Sequence, residues 1–69
     1  MLRYKVEIID ELKKAGYSTY RIRKEKILAE GTMQRIREGS TTINLESLGV
    51  LCNLLKCQPG DLVEWVPEE

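Results

Sequence analysis

Apolar residues recur along this chain in short stripes at three-to-four spacing, broken by glycine, proline and polar clusters, a pattern that predicts several short amphipathic helices. The first stripe is Val6, Ile9 and Leu12, with Ile8 beside it, and predicts a helix over residues 4–15. Lys13 and Lys14 fall in its last turn, where the helix dipole favours cations, and Gly16 ends it. Tyr17 follows as a core or staple residue. Ser18 has the chemistry of a cap for a second helix over 19–26, with Ile22 turned inward. A third runs over 30–38, with Met33 and Ile36 on one side, and stops at Gly39. Ile27 and Leu28 pin the turn between them to a core. Residues 18–39 therefore predict a helix-turn-helix.

Beyond Gly39 the polar loop 40–44 has one apolar anchor, Ile43. Asn44 caps a fourth helix over 45–55, in which Leu45, Leu48, Leu51, Cys52 and Leu55 recur at helical spacing, enough to predict the most buried element of the fold. The run from Cys57 to Asp61 breaks that helix, and Pro59 suits the first position of a fifth one reaching residue 65. Pro67 stops it, leaving Glu68 and Glu69 as a frayed tail. The expected architecture is all-α, five helices in a single domain over 1–69.

Composition narrows the function. A chain of 69 residues buries only about 60% of its unfolded surface and has no room for a large catalytic cleft. No run of about 18 apolar residues is present, and the N-terminus mixes charged with apolar residues where a signal peptide needs an apolar segment, so a cytoplasmic location is expected. Cys52 and Cys57 are the only cysteines and histidine is absent, which leaves no zinc ligand set; Cys52 reads as core packing. Without a phosphate-cradling loop, or a serine beside a base, the usual catalytic constellations are missing. Asp10 and Glu11 are adjacent on a helix and point apart. The expectation is a non-enzyme with no cofactor, no metal, no membrane segment and no small-molecule effector site.

Formal net charge is zero, yet the charges are segregated. Up to Arg37 there are ten basic residues against five acidic ones; from Glu38 onward Lys56 is the single base among six acids. A molecule polarised in this way presents a positive face to phosphates while its acidic end points away. The plainer alternative, that charges of both signs merely solvate helix surfaces, stays open on this evidence alone.

The order helix, helix-turn-helix, loop, leucine-rich helix, PGDL turn and short last helix resembles the phage-repressor-like, XRE-type family of bacterial helix-turn-helix DNA-binding domains. The residues that carry the likeness are 18–39, the segment INLESLGVLCNLLKC and the segment QPGDLVEWVPEE, which together span nearly the whole chain. The resemblance implies a lambda-repressor-like five-helix fold, a third helix lying in the DNA major groove, and a role in transcription.

Carried across from Gly39 backwards, the resemblance places Glu30, Gly31, Thr32, Gln34 and Arg35 at base-reading or adjoining backbone-contacting positions. At about 100° per residue, Gly31, Gln34 and Arg35 point opposite Met33 and Ile36. Arg35 suits bidentate contact with guanine and Gln34 suits adenine, each worth about 1–3 kcal/mol of discrimination; Thr32 suits a phosphate or a thymine methyl. Gly31 has no side chain to read with. Glu30 repels phosphate unless it accepts a hydrogen bond from cytosine, though an acid in a helix's first turn is also favoured by the dipole. Phosphate contacts are expected from Thr19 at the start of the second helix, from Arg21 and Lys24, and from the loop residues Ser40 and Thr41 with Thr42. Tyr20 offers a hydroxyl to phosphate or a packing surface.

Two residues depart from the family pattern. Arg23 stands where a small residue is usual, so its head must reach solvent, and Ile27 stands where glycine is usual, so an ordinary turn conformation is expected there. These departures, with Glu30 and Gly31, keep a rival reading in play: the same fold used as a protein-interaction module, antitoxin-like or a regulatory partner, with little DNA reading. A homodimer is compatible with either reading, since one helix-turn-helix makes a small interface and two half-sites supply specificity. Val63, Trp65 and Val66 are the expected dimer contact, with Trp65 as a core lid the alternative.

Overall fold

The first four helices all stop in the same way: one residue turns left-handed, and the amide after it donates back to the carbonyl five residues earlier. The computed structural model, which describes residues 1–67, has the elements β1 (Leu2–Tyr4), α1 (Ile8–Lys14), α2 (Thr19–Lys24), α3 (Glu30–Arg37), α4 (Leu45–Leu55), α5 (Pro59–Leu62) and β2 (Val63–Trp65). The left-handed residues are Gly16 (φ 92°) after α1, Lys26 (φ 53°) after α2, Gly39 (φ 79°) after α3 and Lys56 (φ 56°) after α4. The returning bonds run from Tyr17 to Leu12 (2.8 Å), Ile27 to Ile22 (3.0 Å), Ser40 to Arg35 (2.8 Å) and Cys57 to Cys52 (3.1 Å). Glycine takes this conformation freely; at Lys26 and Lys56 a side chain has to accept it. Ile27 keeps an ordinary conformation, as its β-branch requires, and the left-handed position falls on its neighbour Lys26.

Starts are set by side-chain acceptors. Ser18 Oγ accepts from the Arg21 amide (3.1 Å) and Asn44 Oδ1 from the Ser47 amide (2.7 Å), so both predicted caps form. At α5, Pro59 takes the first position and the Asp61 carboxylate accepts from the Gln58 amide (2.9 Å).

The core gathers one or two residues from every helix: Ile8 and Leu12 from α1, Ile22 from α2, Leu28 from the turn, Met33 and Ile36 from α3, Leu51 from α4 and Leu62 from α5. Leu12, Ile22 and Leu51 are at most 1% exposed and form its centre, which holds the two helices of the motif against α1 and α4.

Several expectations are corrected. The fold is mostly helical rather than all-α: β1 and β2 pair antiparallel as a two-stranded sheet, with Leu2 opposite Trp65, Arg3 opposite Glu64 and Tyr4 opposite Val63. The first helix begins at Ile8, not residue 4, because Leu2, Arg3, Tyr4, Lys5 alternates with period two and its backbone bonds to the far end of the chain, the Lys5 amide donating to the Leu62 carbonyl at 2.8 Å. The fifth helix ends at Leu62, since Val63 to Trp65 is drawn into that ladder. The left-handed turn at Lys26 cuts the second helix to Lys24, and the third ends at Arg37. The fourth keeps its predicted span but is not the most buried element: it buries Leu51 alone, whereas α3 buries Thr32, Met33 and Ile36, and Leu45 at its start is 83% exposed because no element covers that end. The predicted tail, Glu68 and Glu69, lies outside the described residues.

Among the described residues no helix is long and apolar enough to cross a membrane, and no cluster of three or more potential metal-binding side chains occurs.

Candidate nucleic-acid interface

Helix α3 divides its residues cleanly between two sides. Thr32, Met33 and Ile36 are buried, while Glu30, Gly31, Gln34, Arg35 and Arg37 are exposed. The sequence places an apolar pair three apart inside a polar helix, so burying that pair turns the polar residues outward together. Gly31, Gln34 and Arg35 thus stand on the side opposite Met33 and Ile36, as the helical period requires. Thr32, expected among the reading residues, is only 7% exposed and packs beside the core.

The polar side chains on this face are not equivalent. Gln34 Nε2 donates to Glu38 Oε1 at 2.8 Å, four residues on along the helix. Arg23 Nε lies 2.8 Å from Glu30 Oε1, an ion pair that crosses from α2 to the first residue of α3. Arg23 and Glu30 had each stood out separately, one as a bulky residue at a small position and the other as an acid facing a polyanion. In the fold they compensate each other in charge, the guanidinium pairing with a carboxylate that stays largely exposed. A shallow recess lined by Arg23, Glu30, Gly31, Gln34 and Arg37 lies between them. Gly31 is part of its lining, and a Cβ added there would meet nothing within 4 Å, so the glycine is not demanded by packing. Arg35 makes no side-chain hydrogen bond or ion pair among the described residues, so its five donors are open to a ligand.

The expected phosphate contacts are spread over two edges. Thr19 is half-buried at the start of α2, next to the Ser18 cap. Arg21 is held by its own chain: Nε donates to Glu25 Oε2 at 2.7 Å, an Nη donates to the Gly16 carbonyl at 3.0 Å, and the guanidinium sits over the Tyr17 ring at 4.7 Å. The Glu25 hydrogen bond, followed by the Glu25 charge, holds Arg21 protonated more firmly than an ordinary arginine. Lys24 lies over the exposed Tyr20 ring, 5.9 Å from its centre. Ser40 is turned into the loop, its Oγ accepting from the Thr42 amide at 3.2 Å and its carbonyl from the Tyr4 hydroxyl at 2.7 Å; burial pushes that tyrosine's pKa up. Thr41 lines a cleft on the far side, between β1 and α4.

Sequence reasoning missed two contributors to this face, Arg23 and Arg37. Arg37 was legible, since it stands three residues after Gln34 on the polar side of α3. Arg23 was not, because its partner lies across a turn whose geometry no helical spacing describes.

Of the expected dimer contacts, Val63 packs against the core and Val66 is half-buried, while Trp65 is 67% exposed, which rules out the core-lid alternative for its indole. The far edge of α4 carries the two thiols. Cys52 and Cys57 occupy the paired positions of the helix-ending bond, both half-buried and free, and burial, then the neighbouring Cys52 and Asp61, pushes the Cys57 thiol up.

Comparison with known proteins matches the chain to one family, the Cro/C1-type HTH DNA-binding domain, over residues 7–68. No curated protein and no solved structure shows a match. The matched span takes in α1 to β2 and leaves β1 outside it. With 62 residues of 69 covered from residue 7 to 68, the chain belongs to the Cro/C1-type helix-turn-helix DNA-binding domain family.

Proposed function

We propose that this protein is a sequence-reading DNA-binding regulator of transcription that lays α3 in the major groove. The observation that carries the reading is the exposed face of α3: Arg35 unpartnered, Gln34 beside it, and the one acid at the helix start paired with Arg23. Arg35 takes the guanine-reading role through its bidentate fork and Gln34 the adenine-reading role, giving up its bond to Glu38 on binding. Gly31 keeps the helix surface low, so that a base edge or the sugar-phosphate backbone approaches the helix axis more closely than any side chain would permit. Lys24 and Thr19, with the exposed Thr42, flank that face as phosphate contacts, positioning the helix without reading sequence. Arg21 enters this scheme as the brace that fixes the start of α2. A homodimer completes it, because two half-sites supply the specificity one short helix lacks.

The test is binding of the purified protein to a library of genomic fragments across a salt series, beside Arg35→Ala. The expected result is selection of discrete sites, a steep fall in affinity with salt, and a loss of about 1–3 kcal/mol in discrimination at one base pair for the variant. Affinity for every fragment at or below that of an unrelated neutral domain, even in low salt, overturns the reading and favours the protein-interaction module.

A further inference from the structure

The bond that ends α4 joins a pair of residues unlike the others. At each of the first four helix ends, the residue whose carbonyl accepts and the residue whose amide returns are brought side by side, and an apolar contact between them is the common accompaniment. Leu12 with Tyr17, and Ile22 with Ile27, are such pairs, all four residues belonging to the core. After α4 the two places are held by Cys52 and Cys57, the only cysteines in the chain. The Cys57 amide donates to the Cys52 carbonyl at 3.1 Å. A backbone bond of that kind keeps its two Cα atoms within about 6 Å, inside the roughly 4.4–6.8 Å that a disulfide spans. Both side chains line one recess of about 300 Å³, together with Asn53, Lys56, Gln58 and Asp61. Both are free and only half-buried, so solvent reaches them there. Cys52 acts on the Cys57 thiol through its charge and through a hydrogen bond, which requires the two sulfurs to be neighbours. The DNA reading uses neither.

We propose that Cys52 and Cys57 form a reversible dithiol/disulfide site, oxidised by a peroxide, whose closed form staples the start of α5 to the end of α4. The oxidation balances in two stages. The Cys52 thiolate attacks one peroxide oxygen; an S–O bond forms as the O–O bond breaks, and the departing hydroxide takes up a proton, leaving water and a sulfenic acid. The Cys57 sulfur then attacks the Cys52 sulfur; the S–S bond forms as the S–O bond breaks, and the hydroxyl leaves as water with the Cys57 proton. Two thiols lose two electrons and hydrogen peroxide is reduced to two waters. The order follows from the surroundings: burial, then the neighbouring Cys52 and Asp61, hold the Cys57 thiol protonated, so the first attack falls to Cys52.

The place of the bond decides what it restrains. Directly after Cys57, the Gln58 amide donates to the Asp61 carboxylate at 2.9 Å to start α5, Leu62 enters the core and Val63 enters the sheet opposite Tyr4. A covalent tie at Cys57 therefore holds the whole segment from α5 to β2 against local opening. A loop this short constrains the unfolded chain only modestly, so the stability of the bond rests on the fold already holding the sulfurs together.

The experiment brings purified protein to equilibrium in glutathione buffers of graded ratio, folded and in unfolding urea, and reads intact mass after acid quenching. Expected is a monomeric product lighter by two hydrogens, with the disulfide at least about tenfold more favoured in the folded chain, which is about 30 mV in potential. Because bond closure and folding are linked, the oxidised protein should melt several degrees higher, and amides from Cys57 to Leu62 should exchange more slowly. Hydrogen peroxide should give the same product, and Cys57→Ser should stop at a sulfenic acid on Cys52 that dimedone traps. A disulfide no more favoured in the folded chain than in urea overturns the proposal and leaves the pair as small apolar packing. So does a product that is intermolecular, or oxidised protein that melts lower, because the bond then works against the helix end. Closure in glutathione but not with peroxide overturns the peroxide assignment, and an unlabelled Cys52 in Cys57→Ser overturns the order of attack.

Discussion

The Arg23–Glu30 pair makes a prediction whose sign discriminates between two roles for Glu30. Both side chains are largely exposed, at 57% and 75%, so the pair adds little to folding, about 0.2–1 kcal/mol or a few degrees in melting temperature. Its weight falls on DNA affinity. A carboxylate about 8 Å from a phosphate repels it by roughly 0.5 kcal/mol in water, and screening at 0.1 M salt reduces that by about half. Glu30→Gln is therefore expected to tighten binding about twofold at low salt, with the gain fading as salt rises. Arg23→Gln removes a cation and leaves the carboxylate unpaired, so roughly a two- to fourfold loss is expected. In the double variant the Arg23 substitution should cost less than it does alone, because no acid is left unpaired. The assay is fluorescence anisotropy on a selected duplex at two salt concentrations, with thermal melts confirming that all three variants fold. A Glu30→Gln variant that binds several-fold more weakly at both salts refutes the shielding argument, because the carboxylate is then accepting a hydrogen bond from a base.

Three other outcomes follow from the same structure. Lys56 is left-handed at the end of α4, away from the recognition face, and Lys56→Gly should raise stability by about 0.5–1 kcal/mol in chemical denaturation; a loss would mean its side chain packs in a way the strain argument ignores. Ile22 is fully buried between the helices of the motif, and Ile22→Ala should cost about 2–5 kcal/mol, a large share of what a domain this small has, read as a collapse of the cooperative melt. The Cys57 thiol is raised by burial first, then by Cys52 and Asp61, so it should alkylate more slowly at pH 8 than in unfolded chain, with its pH–rate midpoint displaced upward. By linkage, the stability tied to that thiol is complete below the unfolded thiol's titration and is lost as pH rises through the folded one; equal alkylation rates in folded and unfolded protein would remove the effect.

Much of the helical frame was readable because its signals are local. Ser18 and Asn44 cap where a hydroxyl or amide oxygen is needed, Gly16 and Gly39 stop helices where a left-handed residue is needed, and Met33 with Ile36 fixes which side of α3 faces out. The β1–β2 pairing escaped because its evidence is split between the two ends of the chain. Three residues of alternation at 2–4 look like the edge of a helical stripe until residues 63–65 are seen opposite them. Leu45 misled for a related reason: a leucine in register with a buried stripe is buried only if something covers that end. At the site, exposure of Gln34 and Arg35 was legible from the period alone, and so was the Arg21–Glu25 pair at its i,i+4 spacing, while the occupation of Glu30 by Arg23 depends on a turn that brings separate helices together.

The hydroxyl of Tyr4 on the Ser40 carbonyl has a kinetic consequence. A three-residue strand held by one neighbour opens far more often than the core, so the first residues of the chain exchange their amide hydrogens through local fraying. Each time β1 peels away, the loop from Ser40 to Ile43 loses its outer tether, and the exit of α3 is left held by its own backbone bonds, the Gly39 amide on Ile36 and the Ser40 amide on Arg35. Exchange at those loop amides should then follow the rhythm of the N-terminus rather than that of the helices. An affinity tag fused ahead of Met1 would, by the same coupling, be felt at the end of α3.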